Sequence, residues 1–277
     1  MNAIEKLSTT KNIKTARFNL RYYEAGQGET LIMTHSGGPG ASSWATNRWV
    51  FGTFSERYRT ILIDLPGFGG SSYILPKQPR DFINSQGICE LMDAIGIARA
   101  NIIGGPMGAS IVRFATEHPS RLNKLIMVSP AALASSIFSP RPNEGIKAES
   151  DFYKNPSRWM TEAFLKLSVY DQALITEEVI DDRYSDISEN PEHISNFLKS
   201  SGSVGARLSN VQELVSSIKQ DTLLVWGRDD RFVPLDNALN ILWRLPSSQL
   251  HVFGECGHWP QYEKANEFTE LVFSFLK

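Results

Sequence analysis

Asn101-Ile102-Ile103-Gly104-Gly105-Pro106-Met107-Gly108-Ala109-Ser110 is the most informative segment of this 277-residue chain. An apolar strand candidate leads into a glycine-rich turn, and Ile111-Val112-Arg113-Phe114-Ala115 continues it with the pattern of a helix. That order is typical of a nucleophile elbow, whose pattern is G-x-S-x-G. Here the pattern reads G-x-P-x-G. Because a proline side chain has no nucleophilic atom, no covalent intermediate can form at Pro106.

Pro106 is expected to change the backbone of this elbow as well as its chemistry. An elbow residue sits on a sharp, strained turn, whereas proline is fixed at a φ of about −65°. The residue before a proline avoids the helical region, and Gly105 has the freedom to comply. We therefore expect a remodelled elbow, in which Gly105 and Gly108 absorb the change, the Met107 N–H is re-aimed and the floor of the site is apolar.

Composition favours an ordinary enzyme-sized protein. With 42% hydrophobic residues the chain can bury a full core, as one large domain or a domain with an insertion. Its net charge of −2 disfavours nucleic acid and anionic membranes as partners. Residues 1–6 lack the apolar core of a signal peptide, and no apolar run approaches the ~18 residues of a membrane span. Cys89 and Cys256 are too few for a disulfide scaffold and form no metal pattern. We expect a cytoplasmic protein with reduced thiols, a small-molecule substrate, and neither cofactor nor metal; a homo-oligomer remains open.

Strand-like and helix-like segments alternate along most of the chain. Residues 18–23 and 30–34, joined through Gly26-Gln27-Gly28, predict a hairpin. Buried strands are predicted at 60–64, 124–128, 222–226 and 249–253, and helices at 81–95 (with Gly96 as C-cap), 105–118, 236–244 and 263–276. Repeated β-α-β units predict a mostly parallel sheet with helices on both faces.

Residues 133–212 break that rhythm, since they are rich in Ser, Glu, Asp and Pro and contain amphipathic stretches such as residues 159–167. We interpret them as a helical cap inserted over the carboxyl edge of the sheet, where ligands bind in open α/β sheets. The predicted core is then residues 1–132 and 213–277.

Three further loops carry candidate chemistry. Consecutive glycines in His35-Ser36-Gly37-Gly38-Pro39-Gly40 let backbone N–H groups face a developing oxyanion, and the Met107 N–H is the candidate second donor. In Trp226-Gly227-Arg228-Asp229-Asp230, one aspartate is a candidate to orient a histidine, while the other caps the next helix or pairs with a nearby arginine. His258 lies in a glycine-flanked loop after a strand, and the order elbow, acid, histidine is that of an α/β-hydrolase triad.

With these motifs the chain resembles the meta-cleavage-product hydrolases. These are α/β-hydrolases that break a carbon–carbon bond in 2-hydroxy-6-oxo-hexadienoates formed by aromatic ring cleavage. The resemblance spans nearly residues 20–277. It is carried by Gly37-Gly38-Pro39-Gly40-Ala41, Asp64-Leu65-Pro66-Gly67-Phe68-Gly69, residues 226–236, His251-Val252-Phe253 and Cys256-Gly257-His258-Trp259, with weaker likeness in the cap at 170–178 and 190–193. It implies an α/β-hydrolase fold with a helical cap.

The resemblance also implies roles for individual residues. Asp230 would be the triad acid and His258 the base, with Gly37 or Gly38 and Met107 as oxyanion donors. Arg183 matches the family's arginine for the carboxylate end of the substrate, where a bidentate fork suits a planar anion, and Trp259 would line the pocket. The chain departs from the family at Pro106 and after Trp44, where Asn47 is the candidate for the substrate-binding asparagine.

Three functions fit these residues. In the first, His258 held by Asp230 acts as general acid or base on a carbonyl or enol compound, in tautomerisation, lyase or cyclisation chemistry without a covalent nucleophile. In the second, the protein remains a hydrolase, through water activated by His258 or through Ser36, Ser110 or Ser129. In the third, it is a ligand-binding pseudoenzyme; the retained Asp230 and His258 argue against that hypothesis.

Overall fold

An eight-stranded sheet forms the centre of the molecule in the order β1-β2-β4-β3-β5-β6-β7-β8. The computed structural model describes residues 5–72, 78–139, 142–200 and 210–277. The strands are β1 (Thr10–Lys14), β2 (Asn19–Ala25), β3 (Thr30–Met33), β4 (Arg59–Ile63), β5 (Ala100–Gly104), β6 (Leu122–Val128), β7 (Thr222–Gly227) and β8 (Ser248–Phe253). From β4 to β8 all neighbours in the sheet pair in parallel, as predicted.

The central strands bury both of their faces. Successive side chains of a strand point to opposite sides of the sheet, and Leu31 and Met33 accordingly join one apolar cluster while Ile32 joins the other. One cluster includes side chains of α2 (Ser43–Ser55) and α11 (Ala265–Leu276); the other includes those of α3 (Arg80–Ala94), α4 (Gly108–Glu117) and α9 (Asp236–Arg244). The predicted helices on both faces are therefore confirmed. Two short helices, α1 (Lys6–Thr9) and α10 (Pro260–Glu263), complete the core.

Local signals placed several of these elements correctly. Gly96 follows α3 with a φ of +72°, a left-handed conformation that glycine adopts at low cost. Its neighbour Ile97 donates its N–H to Met92 O at 2.8 Å, which closes the end of the helix. The predicted C-cap is confirmed.

The predicted hairpin between residues 18–23 and 30–34 is wrong. Strand β2 pairs antiparallel with β1 and with β4, so β4 lies between β2 and β3. The glycines that suggested the turn do reverse the chain, since Gly26 and Gly28 have φ values of +79° and +99°. Periodicity and turn residues reveal that two strands are antiparallel but not whether a later strand inserts between them.

The described part of the stretch between β6 and β7 contains four α-helices: α5 (Glu144–Lys154), α6 (Arg158–Ser168), α7 (Glu177–Glu189) and α8 (Pro191–Ser200). Three of them begin with side-chain caps, from Asn143, Ser157 and Thr176, which satisfy N–H groups of the first turn. This is the segment for which the sequence predicts a helical cap. The boundaries of 133 and 212 stay predictions, and residues 201–209 lie outside the described residues. Every helix in the described ranges is too short or too polar to cross a membrane.

Candidate active site

The turn after β5 passes Pro106 without a left-handed residue. Strand β5 ends at Gly104 and α4 begins at Gly108, and the described residues with positive φ all lie outside this segment. Gly105 and Gly108 serve close packing instead: a Cβ on Gly105 would lie 3.1 Å from His35 O, and one on Gly108 would lie 2.4 Å from Pro130 Cβ. The strained conformation that presents an elbow nucleophile is absent here, in agreement with the fixed φ of proline.

His258 and Asp230 form a buried acid–base pair. His258 Nδ1 lies 2.8 Å from Asp230 Oδ2. The other carboxylate oxygen of Asp230 accepts hydrogen bonds from the N–H groups of Phe232 at 2.8 Å and Val233 at 2.9 Å. An ionised carboxylate held in this way keeps a proton on Nδ1 and directs Nε2 outward as a base. The ring of His258 stacks on Phe232, with centroids 4.9 Å apart.

The structure also separates the two neighbouring aspartates. Asp229 pairs with Arg228 at 3.3 Å and accepts from the Cys256 N–H at 3.4 Å, so it joins the two loops that carry Asp230 and His258. Of the two roles that the sequence left open for the second aspartate, pairing with an arginine is the one adopted.

The loop after β3 brings its glycines to the same edge of the sheet. Gly38 has a φ of +89°, and a Cβ there would lie 3.2 Å from Phe164 Cζ, so this position suits glycine. His35 supports the loop from inside the core: Nδ1 bonds Ser36 O at 2.6 Å and Nε2 accepts from the Leu65 N–H at 3.0 Å. Burial lowers the pKa of His35 to about 4, so the ring is neutral and structural.

These loops and helices α5, α6 and α8 line a cavity of about 350 Å³. It is lined by Ser36, Gly37, Gly38, Phe68, Arg80, Pro106, Met107, Ala131, Ala132, Ile146, Glu149, Tyr153, Phe164, Phe197, Phe232, Val233, His258 and Trp259. The predicted base, oxyanion loop, elbow and Trp259 therefore come together. Asp230 and Gly105 do not line the cavity. Asp230 contacts His258, and the Gly105 N–H donates to Thr34 Oγ1 at 3.2 Å. Such a cavity, mostly apolar with a few convergent polar groups, is typical of a small-molecule site.

Two predicted substrate-binding residues lie away from the cavity wall. Arg183 on α7 is buried, with Nη2 3.3 Å from Gly37 O, and burial lowers its pKa to about 10. Asn47 on α2 is also buried, and its Nδ2 donates to Thr34 O at 2.9 Å. Both side chains hydrogen-bond to backbone oxygens of the loop after β3. A role for either in binding substrate stays a prediction.

Three polar residues of the cavity were missed by sequence reasoning. Arg80 begins α3 and donates to Pro66 O at 2.9 Å. Glu149 and Tyr153 project from α5 into the cavity one helical turn apart. Their i, i+4 spacing places the two on one helix face, but it does not reveal which face meets the core.

The three serines considered as replacement nucleophiles are spread out. Ser36 is the one that lines the cavity. Ser110 lies inside α4, and its hydroxyl accepts from Asn84 Nδ2 at 3.0 Å. Ser129 has a φ of 44° and a buried hydroxyl without a hydrogen-bond partner among the described residues. None of them occupies the position of Pro106.

A larger depression of about 630 Å³ lies at the opposite, amino edge of β6, β7 and β8. It is lined by Lys124, Asp221, Ser247 and other mostly polar residues, and Asp221 already accepts from Ser247 Oγ at 2.6 Å. None of the loops that carry the acid–base pair or the glycines reaches it.

Comparison with known proteins agrees with this geometry. A profile of the α/β hydrolase fold family matches residues 30–265. A 2-hydroxy-6-oxo-6-phenylhexa-2,4-dienoate hydrolase from Comamonas testosteroni is 44% identical, over 94% of this chain and 92% of that protein. A 2-hydroxy-6-oxononadienedioate/2-hydroxy-6-oxononatrienedioate hydrolase from the same species is 41% identical, over 98% of this chain and 96% of that protein. Among solved structures, a meta-cleavage product hydrolase from Pseudomonas fluorescens IP01 superposes with a TM-score of 0.86 at 29% identity, covering 98% of each chain.

Proposed function

This chain belongs to the α/β hydrolase fold family, among the meta-cleavage-product hydrolases, and from that premise we propose that it acts on a 2-hydroxy-6-oxo-dienoate or a related enol by proton transfer, without an acyl-enzyme. The observation that carries the proposal is the shared cavity of His258 and Pro106. Pro106 has no nucleophilic atom at the position of the elbow serine, whereas His258 and Asp230 are joined by a 2.8 Å hydrogen bond.

The proposed step is the conversion of the dienol to its keto form. His258 Nε2 takes the proton of the 2-hydroxyl group, and the electron pair of that O–H bond becomes the C=O bond. The conjugated double bonds shift, and carbon 5 takes up a proton as its C–H bond forms. Backbone N–H groups of Gly37, Gly38 and Met107 are the proposed donors to the oxygen that carries negative charge in between. Positioned proton transfer of this kind accelerates a reaction by roughly 10²–10⁴-fold.

The lining of the cavity supports a flat, conjugated substrate with an anionic end. Phe68, Phe164, Phe197 and Phe232 supply aromatic walls, and the named substrate of one relative carries a phenyl group. Arg80 contributes a guanidinium group to the cavity wall and is the proposed partner of the substrate carboxylate.

A second candidate is hydrolysis by water, which the names of the relatives favour. In this reaction His258 removes a proton from water as its oxygen adds to carbon 6 of the keto form. As the tetrahedral adduct collapses, the bond between carbons 5 and 6 breaks and its electron pair shifts through carbons 4 and 3 to the oxygen on carbon 2, which takes up the proton held by His258. The acid and the dienol are released, and no bond to the protein forms at any stage.

Mass spectrometry in isotopically labelled water separates these reactions. The protein is incubated with a panel of dienoates, esters and 1,3-diketones. The proposal expects deuterium on carbon without oxygen label, and His258→Ala should lose that incorporation. Oxygen label in an acid product, lost in His258→Ala but kept in serine-to-alanine variants, would establish the second candidate instead. Unchanged substrate with the whole panel would contradict both.

A further inference from the structure

Glu149 and Tyr153 lie on helix α5 and face the loop that carries the proposed oxyanion donors. Glu149 Oε1 is 3.4 Å from the point where a Cβ on Gly38 would lie and 3.7 Å from the equivalent point on Gly37. Tyr153 lies one helical turn further along α5. Both side chains line the cavity, so a substrate oxygen at the glycine loop meets them.

The Glu149 carboxyl has neither a hydrogen bond nor an ion pair within the described parts of the chain. Burial raises its pKa, and the nearby charges of His258 and Arg183 only partly oppose that change. A carboxyl in such surroundings holds its proton more readily than one in water, because removing an unpartnered charge from water is costly. A neutral carboxyl has an O–H group to donate.

The ionisation state of Glu149 decides what it does to an oxyanion. As a carboxylate beside Gly37 and Gly38 it would repel the negative oxygen that this loop stabilises. As a neutral acid it donates a hydrogen bond to that oxygen, a use of buried carboxylic acids in enzymes that stabilise enolates. Burial raises the pKa of Tyr153 as well, so its hydroxyl keeps its proton near neutral pH.

We propose that protonated Glu149, with Tyr153, donates hydrogen bonds from helix α5 to the enolate oxygen of the substrate, in addition to the backbone N–H groups of the glycine loop. The proposal rests on the proposed function, since it concerns the same enolate. The proton stays on Glu149 throughout, so no bond is made or broken at this residue. It also gives the enzyme a means of stabilising charge that does not require a serine at residue 106.

The charged groups around Glu149 determine how the test is designed. His258 faces it from the loop after β8, Arg183 from α7, and Tyr153 from its own helix; Arg80 lines the same cavity from α3. Histidine is the side chain whose charge ordinarily changes near neutral pH. A His258→Gln background therefore leaves Glu149 as the group that titrates, and it also removes turnover from the measurement.

The probe is 1-phenylbutane-1,3-dione, whose enolate is detected by its ultraviolet absorbance. In the His258→Gln protein, affinity for the enolate should be constant at low pH and fall tenfold per pH unit above the pKa of Glu149. Adding Glu149→Gln should keep the low-pH affinity, because the amide also donates, and should abolish the pH dependence. Adding Glu149→Leu should lower the low-pH affinity about 10- to 100-fold, the usual effect of losing a hydrogen bond to a charged group.

Asp151→Asn is the matched control, because Asp151 lies on the same helix, exposed and paired with Lys154 at 3.2 Å; it should change nothing. If the His258→Gln protein binds the enolate equally well with and without the Glu149→Leu substitution, the proposal is overturned. So would stronger binding by Glu149→Gln at every pH, since that would mean an ionised Glu149. Because binding is measured without turnover, failure of the proposed reaction would not imitate either result.

Discussion

His258 Nδ1 lies 2.8 Å from Asp230 Oδ2, while the second oxygen of Asp230 is fixed by two backbone N–H groups. Asp230→Asn should keep the fold, because its amide oxygen can still accept from Phe232 and Val233. Its NH₂ group would then face Nδ1 and move the ring proton to Nε2, where the base is needed. We expect about a 10²–10⁴-fold loss of kcat. Steady-state rates and circular dichroism check this; a native-like variant with unchanged kcat would remove Asp230 from the mechanism.

The three candidate serines should be dispensable. Ser110 and Ser129 lie off the cavity wall, and Ser36 sits in the glycine loop. We expect Ser36→Ala, Ser110→Ala and Ser129→Ala each to keep most of the activity, while His258→Ala loses it. Rates are compared under identical conditions, with intact-protein mass spectrometry to find covalent adducts. An adduct on wild type that disappears in one serine variant would identify a replacement nucleophile.

The two buried arginines should affect different kinetic constants. Arg80 lines the cavity, whereas Arg183 holds Gly37 O from behind at 3.3 Å. Lysine lacks the planar fork of arginine, so Arg80→Lys should raise KM and leave kcat nearly unchanged. Arg183→Lys should lower kcat through the displaced glycine loop. If Arg183→Lys raises KM alone, the carboxylate contact implied by the sequence is at Arg183 after all.

Acid should destabilise the protein through buried histidines. Burial lowers the pKa of His193 from 6.5 to about 4, despite a 2.6 Å hydrogen bond to Gly67 O. The unfolded chain takes up this proton below about pH 6.5 and the native protein only near pH 4. Stability therefore falls as pH drops through that window, by about 2 kcal/mol at pH 5 for this residue.

Urea unfolding at pH 7 and pH 5 tests the assignment. His193→Asn can keep the bond to Gly67 but cannot be protonated, so its stability should change less between the two pH values. His251→Asn on β8, half-exposed, is the control and should leave the wild-type difference intact. The same loss of stability in His193→Asn as in wild type would assign the effect to other groups.

Sequence patterns predicted where the strands lie better than they predicted which strands pair with each other. Apolar runs such as residues 222–226 identify a strand buried on both faces because burial is encoded in each residue. The pairing of β2 with β4 depends on a strand that comes later in the chain, and no local pattern reveals it. The short strand β1 (Thr10–Lys14) was missed because it is largely exposed at the edge of the sheet and therefore has no apolar run.

The candidate site divides in a similar way. His258 and the glycine loop were predicted because each follows a strand, and carboxyl ends of parallel strands share one edge. Glu149 and Tyr153 come from α5, and an amphipathic helix has the same sequence pattern whether its inner face meets a core or a cavity. Arg183 contacts the backbone of Gly37 instead of lining the cavity, an arrangement that depends on the packing of α7 and that no local pattern reveals.

Solvent deuterium incorporation distinguishes proton transfer by His258 from chemistry through a covalent intermediate. A 2-hydroxy-6-oxo-6-phenyl-dienoate is incubated in D₂O with wild type, His258→Ala and Asp230→Asn, and the products are examined by NMR and intact-protein mass spectrometry. We expect deuterium at carbon 5 with wild type, its loss in both variants, and no mass added to the protein. A covalent acyl adduct on wild type, or equal deuterium incorporation by His258→Ala, would contradict this expectation.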